Sequence, residues 1–179
     1  GLAIDREKNM VWMSDWVDSR YVYCYSLETG KYYTKMQCRP CPYWCQGIFI
    51  ADGKMLFAAD DGESTFGIAD NIYVADVSNV PYTGLKDGTQ VTVENFKAVK
   101  KPGKVAAGAM AGRLELFREM GDFRRAGEIE GLSIDPTNDD LVVLNNRGNQ
   151  ILLGMPIGPF VEEGYTGEVH ELYVYEKIK

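Results

Sequence analysis

Three stretches of this chain repeat one pattern, and that repetition constrains the fold more than any other feature. The first runs Gly1-Leu2-Ala3-Ile4-Asp5, a polar turn at Arg6 to Asn9, then Met10-Val11-Trp12-Met13-Ser14-Asp15. The second runs Gly47-Ile48-Phe49-Ile50-Ala51, a turn at Asp52-Gly53-Lys54, then Met55-Leu56-Phe57-Ala58-Ala59-Asp60. The third runs Gly131-Leu132-Ser133-Ile134-Asp135, a turn at Pro136 to Asp140, then Leu141-Val142-Val143-Leu144-Asn145-Asn146. Each reads as strand, tight turn, strand, because short apolar runs are bounded by Asp, Asn, Gly and Pro. Each opens on glycine and closes on Asp or Asn, residues whose side chains bond nearby backbone N–H groups in turns.

Further strands are expected after each hairpin. The third strands are Tyr21-Val22-Tyr23-Cys24-Tyr25, Ile72-Tyr73-Val74-Ala75-Asp76 and Ile151-Leu152-Leu153; the fourth are residues 31–36, 90–99 and 169–175. In the first unit the link is Leu27-Glu28-Thr29-Gly30-Lys31, a hairpin turn in which glycine takes the strained position. Four antiparallel strands per repeating unit make the blade of a β-propeller. Met10 and Met55 are 45 positions apart, a blade period, whereas Met55 and Leu141 are 86 apart, so the middle unit carries an insertion. The expected organisation is one all-β propeller domain with blades at 1–38, 47–99 and 131–178 and an insertion around 100–128. In the insertion, Val105, Ala109, Leu116 and Met120 fit an amphipathic helix and residues 113–117 fit a strand; both readings stand. The competing fold is a β-sandwich, but the matching Gly and Asp/Asn positions favour repeats.

Three blades fall short of the usual range of about four to eight. The position before the repeated glycine is Gln46 in the second unit and Glu130 in the third, and is absent in the first. The expectation is either a fragment of a longer propeller or two copies that meet to close one.

Composition narrows the partners. The formal charge is −7, which repels phosphate backbones, so nucleic acid is not an expected partner. Lys97, Lys100, Lys101 and Lys104 surround Pro102-Gly103 and read as a solvated loop. No apolar run approaches the roughly 20 residues of a membrane span. No charged-then-apolar leader opens the chain, which begins with Gly1. Compartment stays open, with a slight lean to an exported or periplasmic bacterial setting.

The segment from Ile129-Glu130-Gly131 to Asp135-Pro136, followed by Asp140-Leu141-Val142-Val143-Leu144-Asn145-Asn146-Arg147-Gly148, resembles a signature of several propeller families. It looks like the Glu-Gly-hydrophobic-x-x-Asp-Pro motif of esterase-like phytase domains and is similar to the gluconolactonase and senescence-marker group. Val11-Trp12-Met13-Ser14-Asp15-Trp16 with Arg20-Tyr21-Val22-Tyr23 resembles NHL and YWTD blades. In the lactonase group a Glu in such a motif binds a divalent cation at the central axis. The resemblance therefore implies Glu130 as a metal ligand, with calcium the fitting ion and Gln46 the matching position. A hard cation takes about six oxygens, several from carboxylates, and one Glu with one Gln falls short of that. The plain alternative is a carboxylate accepting hydrogen bonds near the axis.

Other residues carry chemistry of their own. Cys38, Cys41 and Cys45 lie within eight residues and Cys24 precedes them. Packing thiols, a disulfide across the loop, and a zinc or iron–sulfur site are all open readings, although the spacing matches no common closed set. His170 lies in an expected outer strand, far from any nucleophile elbow. Asp60, Asp61, Glu63 and Asp70 crowd one loop and suit either calcium or solvent. No glycine-rich phosphate loop is present.

Two functions follow. The first is a non-catalytic binding module, with a small molecule or protein held on a loop-rimmed face. Residues 62–70 and 154–168 would supply loops, and Tyr43, Trp44, Phe66, Phe160 and Tyr165 aromatic anchors. The second is a metal-dependent hydrolase of the lactonase or phytase-like kind, in which a cation polarises the substrate. The candidate binding residues are Glu130, Gln46, Asn146, Asp15, Asp60, Trp44 and Tyr43.

Overall fold

The computed structural model describes residues 1–62, 68–78, 112–121, 128–146 and 170–178. They form three antiparallel sheets. The first contains β1 (Leu2–Asp5), β2 (Met10–Ser14), β3 (Tyr21–Ser26) and β4 (Tyr32–Gln37), in that order. The second contains β5 (Cys45–Ala51), β6 (Lys54–Ala59), β7 (Asn71–Asp76) and β8 (Glu115–Glu119). The third contains β9 (Glu128–Ile134), β10 (Leu141–Asn146) and β11 (His170–Tyr175), with β10 in the middle. These sheets are the blades of a propeller arc: β1 lies against β5 and β5 against β9, so the first strand of each blade is innermost. No helix among the described residues is long and apolar enough to cross a membrane.

Local chemistry closes the hairpins. Asp52 and Gly53 both have positive φ, 49° and 69°, and link Ala51 to its partner Lys54. That two-residue Asp-Gly turn matches the right-handed twist of the strands it joins. Gly30 has φ 67° in the β3–β4 turn, as its place in the sequence predicts. In the β9–β10 turn, Asp135 Oδ1 accepts the Thr137 N–H at 2.8 Å.

The repeated glycines have a further role in packing. A Cβ added to Gly1 would lie 2.9 Å from the Ile48 nitrogen and 3.1 Å from the Gly47 carbonyl carbon. One added to Gly47 would lie 2.9 Å from the Glu130 oxygen and 3.1 Å from the Gly131 Cα. β1 and β5 thus each meet the next blade backbone to backbone, which only glycine permits.

Between the blades lie two apolar clusters. Ala3, Trp12, Val22, Cys24 and Met36 of the first blade pack on Ile48, Met55, Phe57 and Ala75 of the second. Leu56, Ala58 and Ile72 from the second blade's other face pack on Ile129, Val143 and Leu132 of the third. Full burial of a side chain such as Phe57 or Ile72 contributes about 1.5–3 kcal/mol, so these clusters hold the arc together.

Two strand assignments differ from expectation. β8 is the fourth strand of the second blade, drawn from the expected insertion; Leu116 lies within it, so the strand reading holds there. Residues 90–99, expected in that place, lie outside the described residues. An anchor that hydropathy does not reveal fixes β8: Arg39 N–H donates to Gly112 O at 2.7 Å and Leu114 N–H to Arg39 O at 2.8 Å. In the third blade, residues 170–175 pair directly with β10 from Asn146↔His170 to Leu141↔Tyr175, so they take the third position rather than the fourth. Residues 151–153 lie outside the described residues, as do Glu63, Phe66, Phe160 and Tyr165.

Candidate functional site

The ends of β2, β6 and β10 and the starts of β5 and β9 converge at one end of the arc. Connections between strands cover it and are tied together by backbone hydrogen bonds. Trp44 N–H donates to Val17 O at 3.3 Å, Cys45 N–H to Trp16 O at 2.7 Å, and Asp60 N–H to Trp44 O at 3.0 Å. This lacing brings the β2–β3 loop, the β4–β5 connection and the β6–β7 loop side by side.

It also displays aromatic rings. Trp16 is 56% exposed, Tyr43 58% and Trp44 41%. The Trp16 and Trp44 rings meet edge to face, centroids 5.2 Å apart. Trp44 has φ 50°, an uncommon conformation for a bulky residue, held by its two backbone bonds.

Beside the rings lies a carboxyl cluster. Asp70 is buried; its Oδ1 accepts the Gly62 N–H at 3.2 Å and its Oδ2 the Ile129 N–H at 3.1 Å. The Asp60 carboxyl lies close enough to that of Asp70 for the two to influence each other. Burial first, then the charges of Asp70 and Glu128, push Asp60 up to about 8. Burial also raises Asp70, against the opposing pull of the Ile129 N–H.

Gln46 and Glu130, the equivalent residues before two repeated glycines, are both bulged. The ladder passes from Cys45 to Gly47 without pairing Gln46, and from Gly131 to Ile129 without pairing Glu130. A bulge re-aims a side chain and recurs beside functional sites. Glu130 Oε1 accepts the Asn146 amide at 3.1 Å, so two of the expected site residues touch. Asp15 is exposed just after β2, and its carbonyl accepts the Ser19 hydroxyl. Next to Asn146, the buried Asn145 has no hydrogen-bond partner among the described residues for either side-chain polar atom.

Of the acidic-loop carboxylates, Asp60, Asp61 and Asp70 lie among the described residues and Glu63 lies outside them. Among the described residues no three His, Cys, Asp or Glu side chains form a group that could hold a metal ion. Protein donors explain this for the acidic loop. Asp61 accepts from Asn71 and Tyr73, while Asp70 faces two backbone N–H groups.

The cysteines belong to no such group among the described residues. All four are free; Cys24, Cys38 and Cys45 are buried in the first cluster. Burial raises all four thiols, Cys24 and Cys41 to about 12. Cys41 donates to Asp18 Oδ1 at 2.8 Å. The packing reading is the one observed, and the disulfide reading is corrected: burial in an apolar cluster, not loop proximity, sets these positions.

Sequence reading missed Trp16 and Glu128 as site residues. Trp16 adjoins Asp15 in the same loop, a signal open to reading; Glu128 becomes relevant only because β9 lies beside Asp60.

No family model matches the chain, and no curated protein matches it. Among solved structures it is similar to the crystal structure of Kluyvelomyces marxianus Hsv2, at 8% identity and a TM-score of 0.44 over 99% of this chain. The chain spans about half of that structure's length, 49%.

Proposed function

We propose that this chain is a binding module, that the laced loop end is its ligand surface, and that the ligand presents a cationic group. The observation that carries the reading is the juxtaposition of exposed Trp16, Tyr43 and Trp44 with the Asp60–Asp70 pair, through the Asp60 N–H to Trp44 O bond. Indole faces attract cations, and aromatic residues are the usual anchors of binding surfaces. Asp70, Glu128 and Glu130 add negative charge, in keeping with a net charge of −7. The metal-assisted hydrolase reading finds no such support in the donor set.

The test is a titration followed by intrinsic tryptophan fluorescence. The probe is a peptide rich in lysine and arginine; the control is the same peptide with its lysines acetylated and its arginines replaced by citrulline. The first is expected to change the fluorescence saturably and the second not. Trp44→Ala is expected to weaken binding roughly tenfold, the scale of an aromatic anchor. Equal binding of both peptides, or of neither, would sink the proposal.

A further inference from the structure

The two exposed indoles stand on a frame of their own. Residues 16–19 and 42–45 run antiparallel. Cys45 N–H donates to Trp16 O at 2.7 Å, Trp44 N–H to Val17 O at 3.3 Å and Ser19 N–H to Pro42 O at 3.3 Å. Asp18 is bridged to Tyr43 within the same ladder. Backbone bonds along both segments therefore fix the two rings before any ligand arrives. The ring planes are inclined at 72° with centroids 5.2 Å apart, and both residues remain open to solvent. Planes inclined this steeply leave an open corner between them, and Tyr43 adds a third exposed aromatic side chain to the frame.

The oxygens around this corner are already engaged. The carbonyls of Trp16, Val17, Pro42 and Trp44 accept the N–H groups of Cys45, Trp44, Ser19 and Asp60. The Asp15 carbonyl accepts the Ser19 hydroxyl. Asp18 accepts Arg20 with one carboxylate oxygen and Cys41 with the other. A primary ammonium and a guanidinium each carry several N–H donors, and every donor taken from water needs an acceptor. A fully methylated ammonium carries the same charge with no N–H, and its methyl groups rest directly on ring faces. Negative charge stands beside the rings. Asp15 precedes Trp16 and is exposed, and Asp60, tied to Trp44 through its backbone, lies among Asp70, Glu128 and Glu130. Such carboxylates attract a cation whether or not it can donate a hydrogen bond.

We infer that the corner between Trp16 and Trp44 receives a quaternary ammonium group, that of a trimethylated lysine in a peptide. The inference rests on the reading of this end as a cation-binding surface and names the cation. The indole faces supply the attraction, the engaged oxygens disfavour cations that must donate, and the neighbouring carboxylates complement the fixed charge. Those carboxylates also separate the two common sources of this group. A choline headgroup brings a phosphate with it, which they repel, whereas a trimethyllysine presents its cation alone at the end of an apolar stem.

The test is calorimetric titration of the whole chain with a short peptide carrying a single lysine in four forms. These are unmodified, trimethylated, acetylated, and replaced by a neutral side chain ending in a tert-butyl group, which copies the shape without the charge. The trimethylated form is expected to bind roughly five- to tenfold tighter than the unmodified one, the scale of a cation–π contact. The acetylated and tert-butyl forms are expected not to bind. Trp16→Ala should bring the trimethylated and unmodified forms to equal affinity, and Trp16→Phe, which keeps an aromatic face, should retain part of the preference. Trp16 is exposed, so an unchanged melting temperature is expected for both variants. Vesicles of phosphatidylcholine should leave the titration unchanged, and displacement of the peptide by them would overturn the choice of lysine. Equal binding of the unmodified and trimethylated forms, with none of the acetylated form, would overturn this inference and leave the cation-binding reading standing. Binding of the tert-butyl form as tight as the trimethylated one would overturn it too, because shape rather than charge would then be recognised. Binding of no form would overturn both readings.

Discussion

The Cα of Gly47 lies so close to the backbone of Glu130 that a Cβ on Gly47 would come within 2.9 Å of the Glu130 carbonyl oxygen. Neither atom belongs to a flexible side chain, so no rotamer change relieves the clash. Gly47→Ala must push the second and third blades apart along their innermost strands. The expected cost is about 1–3 kcal/mol, the scale of overpacking a core, read as a lower melting temperature.

Gly112→Ala is expected to cost more. Gly112 has φ 78°, and its Cβ would fall 1.8 Å from Gln37 O, far inside van der Waals contact. The variant must break the pair of bonds through Arg39 that holds β8 to the first blade. Destabilisation of at least roughly 3 kcal/mol is expected in urea titration, with loss of protection of β8 amides in hydrogen exchange.

Asn145→Leu is expected to stabilise the protein. Asn145 is fully buried and its amide finds no hydrogen-bond partner among the described residues, while leucine has the same number and branching of side-chain heavy atoms. Removing an unpartnered buried polar group is worth about 1–2 kcal/mol. The melting temperature should rise by roughly 2–6 °C for a chain of this size. A fall would mean that the amide has a partner in solution.

Asp60 links stability and binding to pH in opposite directions. Its folded pKa, raised to about 8, stands well above the ordinary aspartate value of 3.8. Between these values the folded state holds a proton that the unfolded state has released, so stability falls as pH rises through this window. Binding of a cation favours the ionised form, so affinity for the basic peptide should rise from pH 6 to 9. Asp60→Asn should flatten both profiles; melting curves and fluorescence titrations across pH read them.

The thiols should resist alkylation. Cys24, Cys38 and Cys45 are buried, and burial raises all four thiols. Iodoacetamide at pH 8 is expected to label Cys41 slowly and the other three only after unfolding, when mass spectrometry should count four adducts. Fast native labelling of Cys38 would contradict the packing described.

The hairpins were legible because their cause is local. Asp52-Gly53 dictates a two-residue turn, Gly30 a left-handed position, and alternating apolar residues a half-buried strand, whatever the rest of the chain does. The equivalence of Gln46 and Glu130 was visible too, from their place before the repeated glycines.

By itself, then, the sequence determined that this chain forms antiparallel blades and which residues turn between strands, since propensity and short-range hydrogen bonding decide both. Only the tertiary structure decided which segment fills the outer position of the second blade, that Gln46 and Glu130 are bulged, and that Trp44 stands beside Asp60. Those outcomes depend on contacts between residues far apart in the chain: Arg39 with Gly112, Asp70 with Ile129. Pairing at that range carries no local periodicity, because its energy comes from backbone donors and buried area that exist only once the blades have packed.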